Sequence, residues 1–309
     1  MIVGVSPAIR RALALAERYA RTRLPILLVG ATGTGKEVFA QHIHERSGRP
    51  GPLVDVNCCA LPRDMVESLL FGHRRGAFTG AIDSTEGHVG RSDGGTLFLD
   101  ELANLPPEAQ GKLLRVLETG EVHPLGAGVK KRVDLRVVSA VQDDIGTVLS
   151  SGGFRWDLFQ RVAGVVIELL PLMERPEDVV PLAEHFAVLV DKRLEPGTEH
   201  VLLGHPWPGN VRELRHVIER AGQLVGNGTI SPEALAEAID LGTPGGRRGL
   251  GGAALRRSAG AQRAELISVC EAENGNAARI AHALGIHRAT LFRRLKRAGI
   301  SLRILQESS

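Results

Sequence analysis

The sequence predicts an α/β domain built on a parallel sheet over residues 1–171 and a helical subdomain over 172–240. A flexible linker over 241–261 and a small all-α domain over 262–309 follow. Three observations carry this reading. Short apolar runs alternate with amphipathic stretches as far as Leu169, and such runs imply strands covered by helices on both faces, as in parallel sheets. Beyond Pro171 the strand signals stop and helical periodicity takes over. The basic charge gathers in the tail: residues 244–309 carry 12 Lys and Arg against 4 Asp and Glu, a net of +8, which leaves −5 for the rest of a chain of net +3. Such asymmetry points to a nucleic-acid-binding appendage on a near-neutral body.

Each element has its own signal. Residues 6–21, SPAIRRALALAERYAR, have helical periodicity behind a Ser-Pro start, and LPILLVG (24–30) is a buried-type strand. A glycine-rich turn leads into a helix from Glu37 to Arg46. GPLVDVNC (51–58) is a second strand, PRDMVESLLFG (62–72) a helix and GGTLFLDE (94–101) a third, nearly all-apolar strand. A helix in LPPEAQGKLLRVLETG (105–120) is followed by strands in DLRVVSAV (134–141) and AGVVIEL (163–169). Helical patterns at 175–194, 210–225 and 231–239 build the second subdomain. The stretch 241–261, rich in Gly, Arg and Ala, has no periodic apolar face and reads as linker. No run approaches the ~20 apolar residues that span a bilayer, and no signal peptide opens the chain, so a cytoplasmic protein without membrane contact is expected. Cys58, Cys59 and Cys270 offer no metal-ligand spacing and fit a reducing compartment.

The nucleotide chemistry concentrates in two places. Residues Gly30, Ala31, Thr32, Gly33, Thr34, Gly35, Lys36 and Glu37 fit the pattern G-x-x-x-x-G-K between an apolar strand and a helix, the context this motif requires. Backbone N–H groups can curl around phosphate oxygens there, and the helix N-terminus adds a favourable dipole. Lys36 is placed to reach the β and γ phosphates, whereas Glu37 stands where a Ser or Thr normally supplies a magnesium ligand. The second place is Asp100 and Glu101 at the end of an apolar strand. Asp100 is suited to hold Mg²⁺, directly or through water, and Glu101 to orient or deprotonate the attacking water. ATP and Mg are therefore the expected substrate and ion.

With GAFTGA at Gly76, Ala77, Phe78, Thr79, Gly80 and Ala81, flanked by ESLLFGHRR, the chain resembles the bacterial enhancer-binding proteins, AAA+ ATPases that activate sigma-54 RNA polymerase. NCCALP, GGTLFLDE, QGKLLRVLE, FRWDLFQRV and WPGNVREL fall in that family's order. The resemblance covers about residues 2–240 and implies an AAA+ P-loop fold with a helical lid. It also implies roles. Asn57 matches the asparagine that positions the catalytic glutamate, Arg155 and Arg161 the arginines that reach a neighbouring subunit's site, and Arg212 the lid arginine that senses the γ-phosphate. A guanidinium supplied in trans makes hydrolysis depend on assembly. Residues 76–81 are the implied contact with sigma-54, and Phe78 sits at a loop tip rather than in the core. The expected function is ATP-driven remodelling of the sigma-54 polymerase closed complex by an assembled ring, a hexamer by resemblance.

The departures are also informative. Ala31 replaces a family glutamate, and Met173 a family arginine. Val141 and Gln142 stand where the family has Thr-Asn, and Val141 offers no hydrogen bond. All the primary catalytic groups remain, so an active ATPase is expected. The alternative is a DNA-binding regulator whose nucleotide site acts only as an assembly switch. The chain starts a few residues before its first helix, so no N-terminal regulatory domain is expected in it.

Residues 261–300 read as helix, helix, tight turn at Gly285, helix, with Asn276 as an N-cap and Gly299 as a C-cap. The third helix carries His287, Arg288, Thr290, Arg293 and Arg294, the composition of a recognition helix in a major groove. The stretch is similar to the Fis-type helix-turn-helix, which implies binding of double-stranded DNA at upstream activating sites as a dimer, on the nucleoid.

Overall fold

The computed structural model describes residues 2–142, 145–226, 228–242, 270 and 280. Seven strands occur among them: β1 (Ile26–Val29), β2 (Leu53–Asn57), β3 (Thr96–Asp100), β4 (Glu121–Val122), β5 (Lys131–Arg132), β6 (Arg136–Val141) and β7 (Val165–Glu168). The five apolar runs form one parallel sheet in the order β2-β3-β6-β1-β7, and β4 and β5 pair as a small antiparallel ribbon. The helices are α1 (Pro7–Ala20), α2 (Lys36–Ser47), α3 (Val66–Phe71), α4 (His88–Arg91), α5 (Pro107–Thr119), α6 (Ile145–Ser150), α7 (Trp156–Val162), α8 (Val179–Leu189), α9 (Thr198–Gly204), α10 (Asn210–Leu224) and α11 (Pro232–Gly242).

Alternation along the strands sends side chains into two separate cores. Ile26, Leu28, Phe98, Val138, Ala140 and Ile167 pack with Ile9, Ala12 and Ala16 of α1 and Phe39 and Ile43 of α2. Leu27, Leu97, Leu99, Val137 and Val141 face the other way, toward Val66 and Leu70 of α3, Leu113 and Val116 of α5 and Leu158 of α7. Burying each of the larger of these side chains stabilises the fold by about 1.5–3 kcal/mol relative to exposing it. Helix α1 begins as its Ser-Pro start implies: the Ser6 hydroxyl accepts from the Ile9 N–H at 3.2 Å, and Pro7 occupies the first turn, where its missing N–H costs nothing.

Helices α8 to α11 enclose a third core around Trp207, whose indole N–H donates to the Leu202 carbonyl at 2.8 Å. The helical pattern at 175–194 resolves into a 3-10 turn, Pro176–Asp178, and α8, with Asp191 in the left-handed region (φ 55°) just past the helix end. Helix α9 and the β4–β5 ribbon had no counterpart in the sequence reading. The chain divides into two units, Met1–Pro244 and Gly245–Ser309. Of the second, Cys270 and Ile280 are described, both helical and buried. The linker and the recognition-helix residues His287, Arg288, Thr290, Arg293 and Arg294, with Asn276, Gly285 and Gly299, lie outside the described residues.

Candidate nucleotide-binding site

The strand order decides where the chemistry falls. The loop 30–35 leaves the carboxyl end of β1, and β6 separates it from β3, which ends in Asp100. At ~4.8 Å between neighbouring strands, the loop and the carboxylates stand about 10 Å apart across one sheet edge, the edge where open α/β sheets take ligands. Val141 ends the strand between them, with Gln142 the next residue, and the Val141 side chain is buried in the core.

The loop is shaped by its backbone. Gly33 (φ 80°) and Gly35 (φ 107°) adopt conformations that a side chain would strain, and a Cβ on Gly33 would stand 2.3 Å from the Gly209 carbonyl oxygen. Space beside Gly35 is open. Lys36, at the start of α2, reaches back over the loop, and its Nζ donates to the Gly30 and Ala31 carbonyls at 2.6 and 3.2 Å. Thr34 Oγ1 donates to Ala31 O at 2.8 Å.

From the other side the lid grips the loop's carbonyls. Asn210 Nδ2 donates to Thr32 O (2.9 Å), the Val211 and Arg212 N–H groups to Gly33 O (2.9 and 3.3 Å), and Arg175 Nη2 to Thr34 O (3.0 Å). Asn210 also accepts from the Leu172 N–H at 2.7 Å, which ties the loop, the start of the lid and α10 through one buried side chain. Sequence reading missed Asn210, Arg175 and Asp178; all three act over more than a hundred residues of chain, and no local pattern signals such contacts.

On β3, Asp100 Oδ1 accepts from the Glu101 N–H at 2.9 Å. Glu101 itself is left-handed (φ 52°), and its Oε2 accepts from Asn104 Nδ2 at 3.3 Å. Asn57 is paired with Asp100 in the β2–β3 register, and its Oδ1 caps a 3-10 turn by accepting from the Cys59 and Ala60 N–H groups at 2.9 and 3.2 Å. Asp55, another residue missed in the sequence, lies on the exposed side of β2, and partial desolvation, then the charges of Glu37 and Asp100, raise its carboxyl above the ordinary range. No group of three or more His, Cys, Asp or Glu able to hold a metal alone occurs among the described residues. Magnesium takes one or two carboxylates together with substrate phosphates, so a single protein carboxylate at Asp100 is compatible with it. The residues therefore fit Mg²⁺ held at Asp100 beside a nucleotide.

Arg155 and Arg161 stand at the two ends of α7. Arg155 forms a two-pronged pair with Asp157 (3.0 and 2.7 Å), and Arg161 donates to the Leu117 carbonyl at 3.2 and 2.7 Å. Both are exposed. A cavity of about 900 Å³ borders Arg161 near the amino ends of the strands, away from the phosphate loop.

Residues 72–86 fold back on themselves through an antiparallel bridge between His73 and Thr85, and Arg74 donates to the Leu125 carbonyl at 2.9 Å. The tip closes with Gly76 N–H to Ala81 O (2.9 Å) and Ala81 N–H to Phe78 O (3.0 Å). Phe78 is 43% exposed, and its ring meets the His73 ring edge-on at 5.1 Å, while Ile82 is 75% exposed. His73 Nδ1 lies 2.8 Å from Ser68 Oγ, so α3 is joined to the aromatic tip through one imidazole.

A phosphate loop on the central part of a parallel sheet, carboxylates two strands away and a helical lid pressed onto the loop define an AAA+ P-loop protein. Two family models match in succession, the sigma-54 interaction domain over residues 2–168 and the AAA+ ATPase lid domain over residues 173–249. The chain belongs to the sigma-54 interaction domain family. Among curated relatives it is 40% identical to the nitric oxide reductase transcription regulator NorR2 of Cupriavidus necator, over 96% of this chain and 63% of that protein. It is 38% identical to the C4-dicarboxylate transport transcriptional regulatory protein DctD of Rhizobium meliloti, over 97% and 65%. The chain thus spans less than two thirds of these relatives' length. Among solved structures, NtrX from Brucella abortus in complex with ADP matches at a TM-score of 0.73 and 30% identity, over 97% of this chain and 70% of that one. RuvB of Thermotoga maritima, at 18% identity and a TM-score of 0.54, shares the fold. No helix among the described residues is long and apolar enough to cross a membrane.

Proposed function

We propose that this chain is the motor of a bacterial sigma-54-dependent transcription activator, a cytoplasmic ATPase that hydrolyses ATP to remodel the polymerase closed complex. The observation that carries the reading is the loop 76–81, which holds Phe78 at an exposed tip within the stretch matched to the sigma-54 interaction domain. NtrX, at 30–31% identity, was solved with ADP and with ATP, which supports nucleotide binding here.

In this reading the loop amides and Lys36 hold the phosphates, and Arg212 senses the γ-phosphate from the lid. Asp100 holds Mg²⁺, which supplies charge neutralisation at the phosphoryl group when bound. Glu101 orients the attacking water, and Asn57 sets Glu101 according to nucleotide state. Arg155 and Arg161 serve a neighbouring subunit in a hexameric ring, since an arginine supplied in trans stabilises charge on the transferring group. The place of Arg161 beside the amino ends of the strands, away from this chain's own loop, supports its part in that assignment. The region 262–309 binds double-stranded DNA at upstream sites through His287, Arg288, Thr290, Arg293 and Arg294, as a dimer.

A second reading, an assembly switch with weak or no turnover, is favoured by one observation. The strand end between the phosphate loop and Asp100 presents buried Val141, which has no hydrogen-bonding group to offer a nucleotide.

Phe78→Ala and Thr79→Ala test the leading reading. Both variants keep DNA binding and ATP turnover but lose open-complex formation at a sigma-54 promoter. Normal transcription from either one counts decisively against it.

A further inference from the structure

Arg175 and Asp178 form a buried ion pair at 3.4 Å, with side chains 3% and 0% exposed. Each is spread over several segments. Asp178 Oδ1 accepts from the Val5 and Ser6 N–H groups (2.5 and 2.7 Å), and its Oδ2 accepts from the Ser6 hydroxyl (2.7 Å). Arg175 sends Nε to the Leu170 carbonyl and Nη2 to the Thr34 carbonyl, both at 3.0 Å, and Nη1 to Asp178. One pair thus joins the cap of α1, the connection into the lid and the phosphate loop.

As a stabilising device this is a poor choice. A buried ion pair loses its hydration, and apolar residues of the same volume commonly do as well. What an arginine offers is geometry: a rigid fork that donates in three directions from one plane, which lysine cannot imitate. The direction toward Thr34 has a particular consequence. In a planar trans peptide the C=O and the next N–H point opposite ways. Fixing the Thr34 carbonyl on Arg175 therefore aims the Gly35 N–H away from the lid, toward the open side of the loop. Gly35, at φ 107°, leaves this peptide free to rotate otherwise.

We propose that Arg175 is a positioning residue: by holding the Thr34 carbonyl it orients the Gly35 amide for phosphate, and through Asp178 it couples occupancy of the loop to the start of α1. The inference rests on the nucleotide-site reading above. Its test uses the full chain, ATP binding, steady-state turnover and hydrogen exchange.

Arg175→Lys keeps the charge beside Asp178 but gives up the fork, and it weakens ATP binding about ten-fold, the scale of one oriented hydrogen bond. KM rises in parallel, while kcat at saturating ATP stays within about two-fold, because the group acts on binding and not on the transferring phosphoryl. Saturating ATP slows exchange at residues 3–9 in the parent protein and no longer does so in the variant. Arg175→Gln, neutral but able to donate one bond, gives the same pattern and serves if the lysine variant does not fold. A folded variant with parental ATP affinity and parental ATP-induced protection overturns the proposal, whatever its Tm. Absence of ATP binding by the parent protein overturns the nucleotide-site reading instead.

Discussion

Replacing Asn210 with alanine removes its two shorter hydrogen bonds, besides a 3.5 Å contact with the Pro208 carbonyl, from a buried position and leaves a residue with no polar side chain at φ 55°. The Leu172 N–H and the Thr32 carbonyl each lose a partner, at about 1–1.5 kcal/mol apiece. The left-handed backbone, which Asn tolerates and Ala resists, adds ~1 kcal/mol. The expected loss is about 3–4 kcal/mol, and since ~1 kcal/mol shifts Tm by 2–4 °C for a unit of this size, melting falls by about 6–16 °C. Two further substitutions separate the terms. Asn210→Gly loses the same bonds without the left-handed cost and should be about 1 kcal/mol better than Ala. Asn210→Asp keeps the acceptor for Leu172 but turns an oxygen toward Thr32 O, so it falls between the parent protein and Ala. Denaturant unfolding of the four proteins measures this. Equal stability of the Ala and Gly variants removes the backbone contribution, and an Asp variant as stable as the parent removes the tie to the phosphate loop.

Two other expectations follow from exposure. Burial, followed by the charges of Asp100, Glu101 and Asp55, pushes the Cys58 thiol well above its ordinary range, whereas Cys59 is exposed. Iodoacetamide should label Cys59 in the native protein and reach Cys58 only on unfolding; mass spectrometry showing equally fast labelling of both refutes the packing at the end of β2. Trp156, beside Arg155 on α7, is 62% exposed and Trp207 only 2%, so emission reports mainly on changes at Trp156. Ring formation that carries Arg155 into a neighbouring site should shift that emission to the blue, and Trp156→Phe should abolish the shift. Unchanged emission while light scattering records assembly counts against α7 as the interface.

The parts of the molecule that were readable in the sequence are those whose signals are local. Five strands announced themselves because burial on both faces leaves little but apolar residues, as in ILLV and TLFLD. The phosphate loop and the Asp100–Glu101 pair were readable because strand, loop and helix follow one another directly. Helix α9 was not, since seven residues hold less than two full apolar repeats, and each strand of the β4–β5 ribbon has only two. The buried connectors were hidden for a different reason. Asn210, Arg175 and Asp178 look like ordinary polar residues at helix starts, and only folding brings them to Thr32, Thr34 and Ser6. The left-handed Trp207 and Asn210 in WPGN shape this corner, and neither is glycine, so the usual cue for such a conformation was missing.

A motor whose site is completed by a neighbour should show its dependence on assembly in ATP turnover per subunit, measured across a range of protein concentration for the parent chain and Glu101→Gln. Turnover should rise with concentration as rings form, and the Glu101→Gln protein should bind ATP and assemble but not hydrolyse it. Assembly and ATP binding without turnover at any concentration, with Glu101→Gln indistinguishable from the parent, contradicts the motor reading and leaves the switch reading in its place.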